Sequence, residues 1–282
     1  ANLVGLASFF FKRENPLKRG DEVIVPSISW ATTYYPLQQY GLKLKFLDIE
    51  LDTLNIDVSK LEEALTPKTK MVVAVNVLGN PCSIGIIREF CNNHGLYLFE
   101  DNCESMGAEL NGKPCGTFGD IGTFSTFFSH HISTIEGGII LTGNEEIYHL
   151  IKSLRAHGWT RDLPNNSSIY DRGEDDFYEA YRFILPGYNA RPLDLSGAIG
   201  IEQLKKLDSM IAIRRENAEV FVSLFAKDER FIIQKENGKS SWFSFTIVLN
   251  PKYAIDRSSV MEAMRKARIE FRIITGGCFL RH

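Results

Sequence analysis

Short apolar runs alternate with helical stretches through the first half of the chain, and this rhythm constrains the fold more than any other feature. "DEVIVP" is a β-branched run after Gly20 and predicts a strand. "ATTYYPLQQYG" predicts a helix that ends at Gly41 despite Pro36. "LKLKFLDI" alternates apolar and polar residues, as a strand does. "DVSKLEEALT" predicts a helix, with Asp57 as its cap and Leu61 and Leu65 four residues apart. "MVVAVNVLG" and "LYLFED" are strands buried on both faces, with the helix "IGIIREFCNNHG" between them. Strand, helix and strand in repetition predict an α/β fold: a mostly parallel central sheet with helices on both faces.

The later chain has a different texture. "IGTFSTFF" and "GGIILTG" predict two more strands, and "EEIYHLIKSLRAHG" a helix. Residues 160–186 are polar and predict a long loop, of a length often tied to function. A long helical segment follows, bent or broken near Leu207. "SSWFSFTIVL", "SSVMEAMRKARI" and "EFRIITG" predict a β-α-β unit that begins a smaller domain. The expected division is a large domain over 1–226 and a smaller α/β domain over 227–282. The chain opens inside what reads as an amphipathic helix and closes at "GGCFLRH", so truncation at both ends is expected.

A formal net charge of -3 argues against nucleic acid as a partner, because phosphate backbones need a basic surface. No apolar run reaches membrane-spanning length. The five cysteines Cys82, Cys91, Cys103, Cys115 and Cys278 are odd in number and include no C-x-x-C pair. They predict reduced thiols in a cytoplasmic protein, not a disulfide framework or a zinc site.

Three places carry candidate chemistry. Asp101 ends a buried strand in "LFEDNCES", and ligands of parallel sheets sit at carboxyl ends. It is either a cap on the next helix or an acid that holds a cofactor ring nitrogen. Trp30, in "SWATTYY", follows the strand "EVIVP"; its indole is either core or one wall of a pocket. In "FSTFFSHHISTIEGG", Ser125 can donate to a phosphate. His130 and His131 are adjacent, so an extended backbone would aim them to opposite sides, one toward the pocket and one into packing. Either could be a structural histidine.

Taken together, an aromatic after an early strand, "ED" at a central strand end and "S-x-x-x-x-H" before "EGG" resemble fold-type I enzymes that use pyridoxal phosphate (PLP). More narrowly, they resemble the DegT/DnrJ/EryC1/StrS sugar aminotransferases, over nearly the whole chain from "GDEVIVPSISW" to "GYNARPLDLSGAIGIEQLKKLD" and beyond. That family typically carries "S-F-x-x-x-K-x-x-T-x-G-E-G-G", and its lysine holds the cofactor covalently. Here His130 stands in the lysine position, and an imidazole cannot make that bond. "EDNCESMGA", "SHHI" and "RAHGWTR" point to a branch of the family that dehydrates sugars.

The resemblance implies the following roles. PLP and its aminated form, pyridoxamine phosphate (PMP), would be the cofactor, with Asp101 at its ring nitrogen and Glu104 near its ring hydroxyl. Trp30 would stack on the ring and Ser125 would bind the phosphate. Asn189 would reach the phosphate from a neighbouring subunit, which implies a homodimer. His157 and Arg161 would lie on the substrate side. His130 would be the acid–base group in removal of the C3 hydroxyl from a GDP-linked 4-keto-6-deoxy sugar, with L-glutamate as amino donor. A phosphate-binding "S-G-S-T" turn would directly precede "ANL". One rival is a related CDP-sugar dehydratase with an iron–sulfur cluster, but "LPNNSSIYDRGEDD" lacks the expected cysteines. The other is a non-catalytic family member that binds a nucleotide-sugar, against which the retained Asp101, Ser125 and Trp30 weigh.

Overall fold

The structure, a computed structural model, describes residues 1–282. Its centre is a six-stranded sheet with the order β2-β1-β3-β4-β7-β8. The strands are β1 (Glu22–Pro26), β2 (Lys43–Leu47), β3 (Thr69–Val75), β4 (Tyr97–Asp101), β7 (Ile121–Ser125) and β8 (Gly138–Leu141). The first five run parallel, and β8 pairs antiparallel with β7. A small hairpin, β5 (Glu109–Leu110) with β6 (Lys113–Pro114), lies between β4 and β7 in sequence.

Period-two alternation explains why both faces of the sheet are covered. Val23, Val25, Met71, Val73 and Val75 share one cluster with Leu6 and Phe9 of α1 (Asn2–Phe10) and Tyr34 and Leu37 of α2 (Ala31–Gln39). Ile24, Val72, Ala74 and Leu98 point the other way. They pack with Leu61 of α3 (Leu61–Ala64) and with Ile84, Ile87 and Phe90 of α4 (Ile84–His94). Asp57 caps the turn before α3 by accepting from the Ser59 N–H. Gly95 ends α4 at φ 62°, a left-handed conformation that favours glycine. Truncating Ile87, which is fully buried, to alanine would cost roughly 2–5 kcal/mol through lost burial and the cavity left behind.

The second half is less regular. α5 (Glu145–Leu154) is capped by Asn144, which accepts from the Ile147 N–H. The stretch 160–186 holds the hairpin β9 (Asn166–Ser167) with β10 (Tyr170–Asp171) and the one-turn α6 (Asp176–Glu179). The break expected near Leu207 falls between α7 (Asp194–Leu204) and α8 (Leu207–Phe225). β11 (Phe231–Ile233) pairs antiparallel with β12 (Ile247–Leu249), and α9 (Arg257–Lys266) follows.

Two expectations are corrected. The strand expected across "SSWFSFTIVL" is confined to Ile247–Leu249, and "EFRIITG" forms no strand. β12 has only β11 beside it, and a strand needs a partner edge to satisfy its backbone groups. The two histidines do not lie on extended backbone either. The chain turns at residues 128–131, and the His130 N–H donates to the Phe127 carbonyl at 2.9 Å.

Residues 240–243 cross the loop that follows β3. The Ser241 N–H donates to the Gly79 carbonyl at 3.0 Å and the Phe243 N–H to the Leu78 carbonyl at 2.9 Å. Gly79 has φ +90°, and a Cβ there would lie 2.8 Å from both Ser241 Oγ and the Trp242 nitrogen. Only glycine permits so close a crossing.

Candidate active site

The strand order reverses between β1 and β3, and in such sheets the carboxyl ends at the reversal form a ligand crevice. Trp30, Glu104, Asp101 and Ser125 all lie at or just beyond carboxyl ends of sheet strands.

Asp101 is the most constrained of them. It ends β4 between Val75 of β3 and Thr123 of β7 and is 4% exposed. Its Oδ2 accepts from Asn2 Nδ2 at 2.7 Å and from Thr33 Oγ1 at 2.8 Å. Its Oδ1 accepts from the Cys103 N–H at 3.1 Å. No helix follows, so the carboxylate caps a turn and not a helix. Asn2 is itself oriented, because its Oδ1 accepts from Thr123 Oγ1 at 2.6 Å. The hydroxyl proton of Thr33 is committed to the carboxylate, so Ser29 Oγ donates in the 2.7 Å contact between them. Two helices and two strand ends therefore converge on one buried carboxylate.

Glu104 accepts from the Leu78 N–H at 2.8 Å. Burial pushes its carboxyl up to about 7, against that hydrogen bond and with help from the Asp101 charge. Trp30 is the N-cap residue of α2, with its side chain 58% exposed. That is a free wall, not core. Ser125 Oγ accepts from the Phe127 N–H at 3.2 Å, which leaves its own proton free to donate.

The turn after β7 separates the two histidines by burial. His131 is 1% exposed, and its Nε2 donates to the Ser241 carbonyl at 3.2 Å. Burial and the nearby Arg214 push it down to about 4, so it is a neutral structural residue. His130 is half-buried. Burial lowers its pKa, and the Asp101 carboxylate pulls the other way. Its Nδ1 is buried without a hydrogen-bond partner. Phe127 and Phe243 pack on its ring at centroid distances of 5.9 and 5.1 Å.

The remaining candidates lie apart from this group. Asn189 is exposed, on a segment bridged to Ala156. His157 has φ 66° and donates its N–H to the Tyr188 carbonyl at 2.8 Å. The exposed Arg161 stacks over Trp159 at 5.1 Å. No hydrogen bond or ring contact joins these three to Asp101 or His130 within the chain.

These residues fit PLP on chemical grounds. Asp101 offers a fixed anion for a ring nitrogen, Trp30 a free flat wall, and Ser125 a free hydroxyl proton for phosphate. The His130 imidazole, with Nδ1 unpartnered, lies within electrostatic reach of Asp101 and is chemically able to carry a proton. Sequence reasoning missed Asn2, Thr33, Phe127 and Phe243. Thr33 had a weak signal, lying one turn after Ser29 in "SWATTYY"; the others acquire a role only through tertiary contact.

The chain belongs to the DegT/DnrJ/EryC1/StrS aminotransferase family, whose pattern it matches over residues 10–279. It is 52% identical to the GDP-4-keto-6-deoxy-D-mannose 3-dehydratase of Yersinia pseudotuberculosis, covering 100% of this chain and 72% of that protein. The Escherichia coli GDP-4-keto-6-deoxy-D-mannose-3-dehydratase, solved with bound hydrated PLP, is 51% identical and superposes with a TM-score of 0.97. That match covers 100% of this chain and 72% of the solved one. A GDP-4-keto-6-deoxymannose-3-dehydratase solved with a trapped PLP-glutamate geminal diamine is 50% identical, with a TM-score of 0.97 over 99% of this chain and 73% of its own.

Proposed function

We propose that the chain is a PLP-dependent GDP-4-keto-6-deoxy-D-mannose 3-dehydratase that takes its amino group from L-glutamate. The observation that carries this reading is His130, which stands where the family has its lysine while Asp101, Ser125 and Trp30 are retained around it. When bound, PLP supplies an electron sink and, in its aminated form, the amine that activates the C4 ketone of the sugar.

The residues divide the remaining work. Asp101, fixed by Asn2, Thr33 and Cys103, keeps a negative charge at the ring nitrogen. Trp30 would give the ring a flat wall, Ser125 would donate to the phosphate, and Glu104 would lie on the ring-hydroxyl side. His130 would take up at Nε2 the proton that the aminated cofactor gives up and deliver it to the departing C3 hydroxyl, which leaves as water. His157 and Arg161, which make no hydrogen bond or ring contact with Asp101 or His130, would lie on the substrate side as the family resemblance implies.

The reading includes a homodimer in which Asn189 reaches the phosphate of the partner's site. Asn189 is exposed and lies five residues before α7, which buries none of its own residues and exposes Leu195, Ile201 and Leu204. Phe177 and Tyr181 add to the uncovered apolar surface nearby in sequence. The reading divides the chain into a large cofactor domain over 1–226 and a smaller one over 227–282, to which the separate β11–β12 pair lends support. No helix is long and apolar enough to cross a membrane. A cytoplasmic setting fits the five unpaired cysteines.

The test is a product assay with GDP-4-keto-6-deoxymannose, PLP and L-glutamate. The expected product is the 3-deoxy-4-keto sugar nucleotide, with ammonia released. Formation of a 4-amino sugar in its place would make the chain an aminotransferase and refute the proposal.

A further inference from the structure

A histidine that moves protons is commonly oriented by a hydrogen bond to its second ring nitrogen. His130 has none, because Nδ1 is buried and unpartnered. Its ring is instead packed between Phe127, at 5.9 Å and 77°, and Phe243, at 5.1 Å and 49°. Phe127 belongs to the same turn and moves with it. Phe243 comes from the distant 240–243 segment and is fixed at both backbone groups. Its N–H donates to the Leu78 carbonyl at 2.9 Å, and its carbonyl accepts from Arg214 Nη1 at 2.9 Å. The same guanidinium holds the Trp242 carbonyl at 3.0 Å. The Phe243 ring also meets the buried His131 ring at 5.6 Å. The close crossing over Gly79 leaves this segment no slack.

We propose that Phe243 is a positioning residue for His130: its pinned ring holds the imidazole with Nδ1 against protein and Nε2 toward the site. This inference rests on the assignment of His130 as the proton-moving group. A base acting through Nε2 keeps Nδ1–H in both states, and burying that N–H without an acceptor costs more when the ring is charged, so the aromatic packing favours return of the Nε2 proton. The charged and titratable groups around it are Asp101 from β4, His131 from its own turn, and Arg214 of α8 beyond Phe243. Asp101 favours the protonated ring, and burial opposes it. Removing the aromatic wall admits water to Nδ1 and weakens the opposing effect.

The experiment follows the Cε1–H resonance of His130 by NMR across pH in the cofactor-free protein, identified by its loss in His130→Asn. Phe243→Ala is expected to raise the His130 midpoint by about half a unit or more toward the ordinary histidine value, and Phe243→Leu by less. In the PLP-loaded enzyme, Phe243→Ala is expected to lower kcat about tenfold with KM changed less than about twofold, and to move the acid limb of the rate profile upward. If Phe243→Ala does not fold, Phe243→Leu carries the same readings in reduced size. An unchanged His130 midpoint in the folded variants overturns the positioning role and leaves the assignment of His130 intact. Dehydration by His130→Asn at the wild-type rate overturns both.

Discussion

Asp101 and His130 face the same site and are held by opposite means. Asp101 is buried and receives three hydrogen bonds from α1, α2 and its own turn. His130 is half-buried, has no side-chain hydrogen bond and is placed by two aromatic rings. The difference matches the work that the proposed function gives each group. A charge that must persist through the reaction is best surrounded by fixed donors, which favour the ionised form. A group that must gain and lose a proton is hindered by a partner that fixes one state; around His130, burial against the rings disfavours the charged form and the Asp101 charge offsets it.

The comparison is broken most severely at the fixed charge. Asp101→Asn is expected to lower turnover about 10³-fold, ~4 kcal/mol in barrier, with the circular dichroism spectrum unchanged. Near-normal turnover would remove Asp101 from the site. Next in size, His130→Lys turns a free proton carrier into a covalent attachment point. Borohydride should then fix the cofactor to the unfolded protein, whereas the wild type should release it. A variant that releases its cofactor as the wild type does would show that His130 does not occupy the lysine position.

A smaller change sharpens the contrast. Thr33→Val deletes one of the two donors to Asp101 Oδ2 and leaves Asn2 in place. The loss of one hydrogen bond to a charged group is expected to weaken PLP binding about tenfold, ~1.4 kcal/mol, as read by absorbance titration. Thr33→Ser should restore it. Equal affinity in all three proteins would mean that the hydroxyl does not support the carboxylate.

The smallest effect in the wild type, because two opposing slopes largely cancel, lies in the pH dependence of stability. The folded-state pKa of Glu104 is raised from 4.5 to about 7, so its contribution is fully present below 4.5 and lost as pH rises through 7. The folded-state pKa of His131 is lowered from 6.5 to about 4, so its contribution is present above 6.5 and lost as pH falls toward 4. Each amounts to ~3 kcal/mol at most, and the two slopes oppose each other. Glu104→Gln should therefore expose the His131 slope, with the urea midpoint falling between pH 6.5 and 4.5. His131→Asn should expose the reverse slope. Parallel curves for wild type and both variants would contradict the assigned burial of these groups.

The two halves of the site were also unequally legible in the sequence. Asp101 and Ser125 could be found because each ends a strand whose apolar run marks its direction, and direction alone says which end faces ligand. The partners of Asp101 were hidden. Asn2 and Thr33 are ordinary helical residues until α1 and α2 pack on the sheet. His130 was legible as a departure from a family pattern, but its setting was not. The turn at 128–131 replaced the extended backbone that adjacency suggested, and Phe243 gave no local sign that it would cross Gly79 to reach the histidines. The smaller domain was read less accurately for a related reason. Phe231–Ile233 was too short to stand out, while "EFRIITG" has strand propensity but no neighbouring edge to pair with.

The most direct test of the account follows both halves of the reaction in one sample of His130→Asn with PLP, L-glutamate and GDP-4-keto-6-deoxymannose. Release of 2-oxoglutarate reports the first half, and loss of the C3 hydroxyl reports the second. An amide fills the place of the imidazole but does not titrate. The account predicts that PLP still binds, because the groups around Asp101 are intact, and that both products fall about 10³-fold or more below wild type. Retention of PLP with either product formed at close to the wild-type rate would contradict it and assign the proton to another group.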